Sequence, residues 1–249
     1  MSTHLSIVTG GSRGLGRALV EHLLARGHRV VSIARRPAEL PVPAGAALEN
    51  WAADFADPVP VAERFAQWLA AQDPAALAGV DLILNAGVVS TPAPLSAGDP
   101  AELSNALRVG LEAPLLLSAA FLRVTQAWSL PRRLLLISSG LGRRAMAGSA
   151  SYCAAKAGMD HLARVLALEE AAKPSGVRVA SLAPGVIDTD MQVQLRSADA
   201  GLFPERERFQ GLKDSGALDS PAQAAAKVLK VLDREDFGSQ PVCDVRELA

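Results

Sequence analysis

Leu5-Ser6-Ile7-Val8-Thr9-Gly10-Gly11-Ser12-Arg13-Gly14-Leu15-Gly16 is the stretch on which the fold of this chain turns. Residues 5–9 form a short apolar run of strand type and lead straight into glycines. A helical pattern follows, with Leu15, Leu19, Leu23 and Leu24 on one face. Glycines at a strand-to-helix turn let backbone N–H groups approach a phosphate, and the helix N-terminus favours its negative charge. The spacing is Thr-Gly-x-x-x-Gly-x-Gly rather than the familiar G-x-G-x-x-G.

Outward from this turn the same alternation repeats. Apolar runs at 29–34, 48–53, 80–84, 134–137, 177–182 and 242–245 are separated by segments of helical length. Strands alternating with helices imply βαβ units, here a Rossmann-like doubly wound α/β fold with a seven-stranded, mostly parallel sheet flanked by helices. Such sheets bind ligands outside the carboxyl ends of their strands. The Pro-rich segment 37–45 predicts a short or distorted second helix. The polar stretch 192–219 predicts a long connection that covers the site, with 190–219 as the substrate-covering loop; helix 221–232 and strand 241–245 close the fold.

At 249 residues, the chain suits one substantial core, and residues 1–249 are expected to form a single domain. Hydrophobic residues make up 49% and charged residues 20%, an ordinary globular balance. The net charge of −1 carries no nucleic-acid footprint. Apolar runs such as 113–117 are far too short for a membrane span, and no signal-peptide pattern precedes Leu5, so residence in the cytoplasm is expected. Two cysteines, Cys153 and Cys243, make no disulfide framework, and no metal site is expected.

The chemistry concentrates between residues 137 and 156. Tyr152 and Lys156 stand four apart among small helix formers, so a phenol and an ammonium share one helix face. A phenol ordinarily ionises near pH ~10, and a neighbouring cation lowers that value. The pair suits proton exchange with a carbonyl or alcohol oxygen. Ser139, thirteen residues before Tyr152 at the end of an apolar run, offers a hydroxyl to the same oxygen. The second strand ends in Arg35-Arg36, where an NAD-preferring unit tends to carry an acid and an NADP-preferring one an arginine. Together with Arg13, these planar guanidinium groups point to NADPH.

Ser139, Tyr152 and Lys156, with the glycine turn, resemble the short-chain dehydrogenase/reductases. The resemblance implies a role for further residues. Thr9, Gly10, Ser12, Arg13, Gly14, Leu15 and Gly16 would form the cofactor turn. Asp54 and Phe55 would meet the adenine, although Asp54 can equally cap the turn toward Asp57. Asn85-Ala86-Gly87 matches the family's Asn-Ala-Gly, with Asn85 supporting the loop. Pro184, Gly185 and Val186 would lie along the cofactor, Thr189 would bond the nicotinamide carboxamide or a phosphate, and Leu141 and Met191 would lie against the substrate. One departure stands out: Gly110 occupies the place of an Asn that in relatives positions a water linking the lysine to solvent. Glycine leaves either space for a water or an exposed carbonyl, and Asn105, five residues away, belongs to another face.

The tail narrows the resemblance. Asp188-Thr189-Asp190-Met191-Gln192, Leu212-Lys213-Asp214-Ser215-Gly216 and Asp236-Phe237-Gly238-Ser239 are similar to the sepiapterin reductase branch and to the bacterial benzil reductases near it. That branch implies reduction of a vicinal diketone or a pterin side-chain ketone, with hydride from NADPH, Tyr152 as proton donor, Ser139 on the oxygen and Lys156 on the ribose. Asp244 falls where sepiapterin reductases anchor the pterin, or is simply a polar residue at a strand end. Helix pairing of the kind common in the family implies a homodimer or homotetramer. A non-catalytic NADPH-binding sensor and a nucleotide-sugar epimerase remain as rival readings. The first is kept open by Gly110, and the second is weakened by the short chain after Met191.

Overall fold

The structure, a computed structural model, describes residues 2–248. Seven strands form one sheet in the order β3-β2-β1-β4-β5-β6-β7, and every neighbouring pair is parallel. They are β1 (Thr3–Thr9), β2 (Arg29–Ala34), β3 (Ala47–Ala52), β4 (Leu77–Leu84), β5 (Arg132–Ile137), β6 (Arg178–Ala183) and β7 (Val242–Asp244). The chain steps outward from β1 through β2 to β3, then returns to place β4 on the other side of β1. That reversal opens a crevice at the carboxyl ends of β1 and β4.

Helices cover both faces, which is why the central strands read as continuous apolar runs. Side chains alternate across the sheet. Leu82 and Leu84 of β4 and Leu134 and Leu136 of β5 enter one core with Phe65 of α2 (Pro58–Ala70), Phe121 of α4 (Ala113–Thr125) and Met159 of α5 (Ala150–Ala171). Ile83, Leu135 and Ile137 enter the other, against α1 (Gly14–Ala25) and α8 (Pro221–Leu232). Helix α8 starts on a capping box, Ser220 with Gln223, and a proline at its first position.

Three segments differ from the sequence expectation. No helix forms between β2 and β3: Pro37, Pro41 and Pro43 leave too few backbone donors, and Asn50 instead clasps Ala38 through both its amide oxygen and nitrogen. The stretch after β6 is helical rather than looped. Helices α6 (Asp190–Arg196) and α7 (Arg206–Asp214) close over a third apolar cluster of Met146, Leu195, Ala198, Phe203 and Phe209, with the two phenylalanine rings stacked at 5.8 Å. Helix α3 (Pro100–Leu107) runs into α4 through a π-helical turn, Arg108–Glu112, that contains Gly110. Among the described residues no helix is long and apolar enough to cross a membrane.

At the amino ends of the strands, Asp81 of β4 is 1% exposed and takes two bonds from Arg133, at 2.6 and 2.8 Å, and one from His4 at 2.8 Å. Burial alone would raise its carboxyl, but these donors hold it below the ordinary carboxylate range. His28 lies against the His4 ring and beside Ser6; burial, helped by His4, pushes it down to about 4.

Candidate active site

The crevice is built first by ties between β1 and β4. The Thr9 hydroxyl accepts from the Asn85 and Ala86 N–H groups at 2.9 and 3.0 Å, and the Asn85 side-chain amide donates to the Thr9 and Gly10 carbonyls at 3.0 and 3.4 Å. Asn85 therefore holds its loop, as its residue type suggests. Thr9, expected among the cofactor contacts, is buried and does not line the cleft; its hydroxyl is spent on the strand ends. Gly10 and Gly14 take positive φ, 72° and 53°, which bends the turn toward α1. At Gly16 a Cβ would stand 2.1 Å from the Gly10 carbonyl oxygen, so only glycine permits this approach of turn to helix.

Above these ties lies a cleft of about 1370 Å³. Every other residue expected to act in the chemistry or to contact cofactor or substrate reaches its wall. Gly10 and the run Ser12, Arg13, Gly14, Leu15 and Gly16 form the floor at one end, with Arg35 and Arg36 after β2 and Asp54 and Phe55 after β3. Asn85, Ala86 and Gly87 follow β4, and Ser139 and Leu141 follow β5. Tyr152 and Lys156 project from α5, Pro184, Gly185, Val186 and Thr189 follow β6, Met191 comes from α6 and Asp244 from β7. Asp54 also accepts from the Ala56 N–H at 3.0 Å, so it lines the cleft and caps its turn together.

These residues fit a dinucleotide. The first turn of α1 holds no acid, so its N–H groups and dipole are free for a phosphate. Arg35 and Arg36 are exposed and have no carboxylate partner among the described residues. Arg13 differs: its guanidinium donates to Asp190 at the start of α6, at 2.9 Å.

At the opposite end the three chemical groups converge. Ser139 starts a single 3-10 turn, Gly140–Gly142, its hydroxyl accepting from the Leu141 N–H at 3.2 Å. Lys156 is 3% exposed; its ammonium donates to the Ile137 carbonyl at 2.7 Å and lies 5.6 Å from the centre of the Tyr152 ring. Burial pushes Lys156 down to about 8, with Asp160 one turn further along α5 pulling it back. Burial pushes Tyr152 up to about 12, against a lowering contribution from the Ser139 hydroxyl. The expected depression of the phenol by its lysine neighbour does not occur, because the ammonium is turned to the Ile137 carbonyl and burial outweighs it. At neutral pH the Tyr152 phenol keeps its proton.

Gly110 leaves no gap. It is buried, and a Cβ there would stand 3.0 Å from the Ala155 Cβ. Asn105, expected on another face, does line the cleft, since the wide π turn after it shifts the helix phase. Asp244 is 2% exposed and already engaged: Arg246 donates to both its oxygens at 2.8 and 2.6 Å, and Arg143 lies at 3.6 Å. Phe209 and Leu212 belong to the stretch expected to cover the site; Met146 and Leu195, which complete an apolar wall with them, were not singled out in the sequence. The spacing of Met191 with Leu195 and of Phe209 with Leu212 was the available signal.

Comparison with known proteins agrees with this geometry. The family model for short chain dehydrogenase matches residues 5–200. The benzil reductase ((S)-benzoin forming) of Bacillus cereus is 32% identical over 245 residues, covering 97% of this chain and 98% of that protein. The sepiapterin reductase of Meriones unguiculatus is 34% identical over 248 residues, covering 94% and 92%. A solved structure of a putative 2-deoxy-D-gluconate 3-dehydrogenase from Agrobacterium tumefaciens with bound NADP superposes with a TM-score of 0.79 at 26% identity, covering 98% of this chain and 95% of that one. A matching family model, near-full-length relatives and a shared nucleotide-binding fold make the conclusion direct: this chain belongs to the short-chain dehydrogenase family of oxidoreductases.

Proposed function

We propose that the protein is an NADPH-dependent reductase of small carbonyl compounds, with a vicinal diketone as its substrate class. The observation that carries this reading is the Tyr152 phenol in one cleft with Ser139, with the Lys156 ammonium 5.6 Å from the centre of its ring. When bound, the nicotinamide supplies the hydride. The protein's own part is binding, orientation and the proton. Arg35 and Arg36 give planar donors for a ribose phosphate, and Arg13 joins them once released from Asp190. The Ser139 hydroxyl and the Tyr152 phenol both donate toward the substrate oxygen, which stabilises charge as it develops there. Tyr152 then gives its proton to that oxygen. The Lys156 ammonium, next to Gly87 and the Ile137 carbonyl, is placed to hold ribose hydroxyls.

The substrate end favours an apolar diketone over a pterin. Leu141, Met146, Met191, Leu195, Phe209 and Leu212 line it. Asp244, the acid available to a pterin, is taken up by Arg246. Self-association is part of the same proposal, supported by exposed Leu115 on α4 and by Val165 and Leu168 on α5, the last 76% exposed.

The test follows cofactor absorbance with NADPH or NADH and a panel of a vicinal diketone, a sepiapterin-like pterin, a simple ketone and a sugar ketone. Diketone turnover with NADPH is expected, and Tyr152→Phe should abolish it while binding NADPH nearly as before. Unchanged turnover in Tyr152→Phe removes the phenol from the mechanism, and tight NADPH binding without turnover on any member favours a sensor.

A further inference from the structure

We infer that the contact of Gly142 with Lys156 and Asp160 sets the Ser139 hydroxyl against the Tyr152 phenol, which makes Gly142 and Asp160 positioning residues of the reaction; the inference rests on the carbonyl-reductase reading above. Ser139 and Tyr152 come from different elements, the turn after β5 and helix α5, so no local geometry fixes one hydroxyl against the other. The turn that Ser139 starts is closed on itself. The Gly142 N–H donates to the Ser139 carbonyl at 2.9 Å and the Leu141 N–H to the Ser139 hydroxyl at 3.2 Å, so the turn moves as one piece. It rests on α5 at Gly142. A Cβ there would stand 2.6 Å from Oδ2 of Asp160, and 2.9 and 3.0 Å from the carbonyl oxygen and carbon of Lys156. At Gly140, in the same turn, nothing lies within 4 Å of the missing Cβ. Neither glycine has a positive φ, so space and not backbone freedom separates the two positions.

Asp160 makes this support firm. It is 1% exposed on α5, one turn beyond Lys156, and its Oδ1 accepts from the Ser181 hydroxyl of β6 at 2.7 Å. Its Oδ2 is buried with no hydrogen-bond partner. An unmade bond at a buried oxygen leaves the desolvation of that atom uncompensated, so packing alone does not favour a carboxyl there. Asp160 is held between β6 and the turn, and cannot swing away from an added methyl without breaking the Ser181 bond. The Lys156 atoms are helix backbone and cannot yield either. A methyl at Gly142 therefore displaces the turn, and Ser139 with it. The Ser139 bond to the oxygen on which charge develops depends on that position, because hydrogen bonds weaken with distance and angle and a misplacement of about 1 Å can cost about a hundredfold in rate. The glycine turn and Arg35 and Arg36 lie at the other end of the cleft, so the cofactor phosphates are unaffected.

The competing role is packing alone, and a double-mutant cycle separates the two. The measurements are kcat and KM with benzil, NADPH affinity by fluorescence, and the thermal midpoint, for Gly142→Ala, Ser139→Ala and the double variant, with Gly140→Ala as the control for the turn. Gly142→Ala is expected to lower kcat about ten- to a hundredfold while NADPH affinity stays within about threefold. In the Ser139→Ala background the same change should cost less than about threefold, because the group it misplaces is already gone. Gly140→Ala should hold the parent's midpoint. Full kcat in Gly142→Ala, losses that multiply in the double variant, or a Gly140→Ala midpoint lowered as far as that of Gly142→Ala would each overturn the assignment while leaving the reductase reading intact. Where Gly142→Ala does not fold, Ser181→Ala decides, since it frees Asp160 without adding an atom to the contact. A kcat loss of about three- to tenfold that vanishes in the Ser139→Ala background supports the assignment, and no loss, or an equal loss in both backgrounds, overturns it. A Ser139→Ala protein as active as the parent, or a parent that does not reduce benzil with NADPH, sinks the reductase reading and this inference with it.

Discussion

Replacing Gly16 with alanine sets two physical effects against each other, and the structure decides the sign. Gly16 lies inside α1, where helix propensity favours alanine by about 1 kcal/mol. Its backbone φ is not positive, so no conformational strain opposes the change. The surroundings do. The new Cβ would meet the Gly10 carbonyl oxygen at 2.1 Å, the Gly10 carbonyl carbon at 2.8 Å and the Asn85 amide nitrogen at 2.5 Å. The first two are backbone atoms of the glycine turn, and the third is the group that ties β4 to β1. Relief requires moving the turn away from the helix by roughly 1 Å, and overpacking of this kind costs about 1–3 kcal/mol or more. At about 2–4 °C per kcal/mol for a chain of this size, the midpoint should fall by roughly 2–12 °C. Gly211→Ala is the internal control: Gly211 lies within α7 with nothing near its missing Cβ, so the same change should raise the midpoint by roughly 1–4 °C. Thermal unfolding with and without NADPH reads both stability and binding, because saturating ligand adds about 2.7 kcal/mol at a hundred times its dissociation constant. Gly16→Ala should lose most of that ligand shift and Gly211→Ala should keep it. A Gly16→Ala protein that melts at or above the parent and keeps the full NADPH shift refutes the close approach of turn and helix.

Four further outcomes follow from the geometry. Gly110→Asn should destabilise by about 1–3 kcal/mol in denaturant unfolding without raising kcat, because Ala155 already fills the space that a side chain needs. Arg35→Ala combined with Arg36→Ala should weaken NADPH at least about tenfold by fluorescence titration and leave NADH nearly unchanged, since only the former carries the extra phosphate. Tyr152 is the sole tyrosine, so alkaline absorbance titration of the phenolate reports it alone. In the folded protein little phenolate should form below about pH 10, and stability should decline between about pH 10 and 12 as only the unfolded chain releases the proton. His28 is neutral in the fold down to about pH 4 while the unfolded chain protonates it near pH ~6.5, so stability should fall as pH drops through that window and His28→Gln should flatten the slope.

The sequence was most legible where local chemistry and global position coincide. A strand followed by glycines and an amphipathic helix admits few structures, and Arg29–Ala34 is found with the bounds its apolar run predicts. Gathering by strand ends explains why residues as far apart as Ser12, Asn85, Tyr152 and Thr189 could be assigned to one cleft without any contact information. Thr9 shows the limit of motif reading, because a motif names which residues matter and not how: its hydroxyl fastens two strands rather than facing a ligand.

The helical form of the stretch after β6 was illegible for a different reason. Residues 192–219 carry many charges, and the apolar positions that decide their structure are sparse. Leu195, Phe203 and Phe209 cluster with one another and with Met146 and Leu141 from another part of the chain, so local spacing signals their burial only in part. Side-chain partners were equally hidden. Arg13 reads as a phosphate ligand, yet in the free protein it is bonded to Asp190, 177 residues away. Both groups are largely exposed, at 66% and 74%, and such pairs contribute about 0–1 kcal/mol. A dinucleotide phosphate could therefore draw Arg13 from α6 at little cost, and on the proposed reading one guanidinium would serve the cofactor and, in its absence, pair with the start of α6.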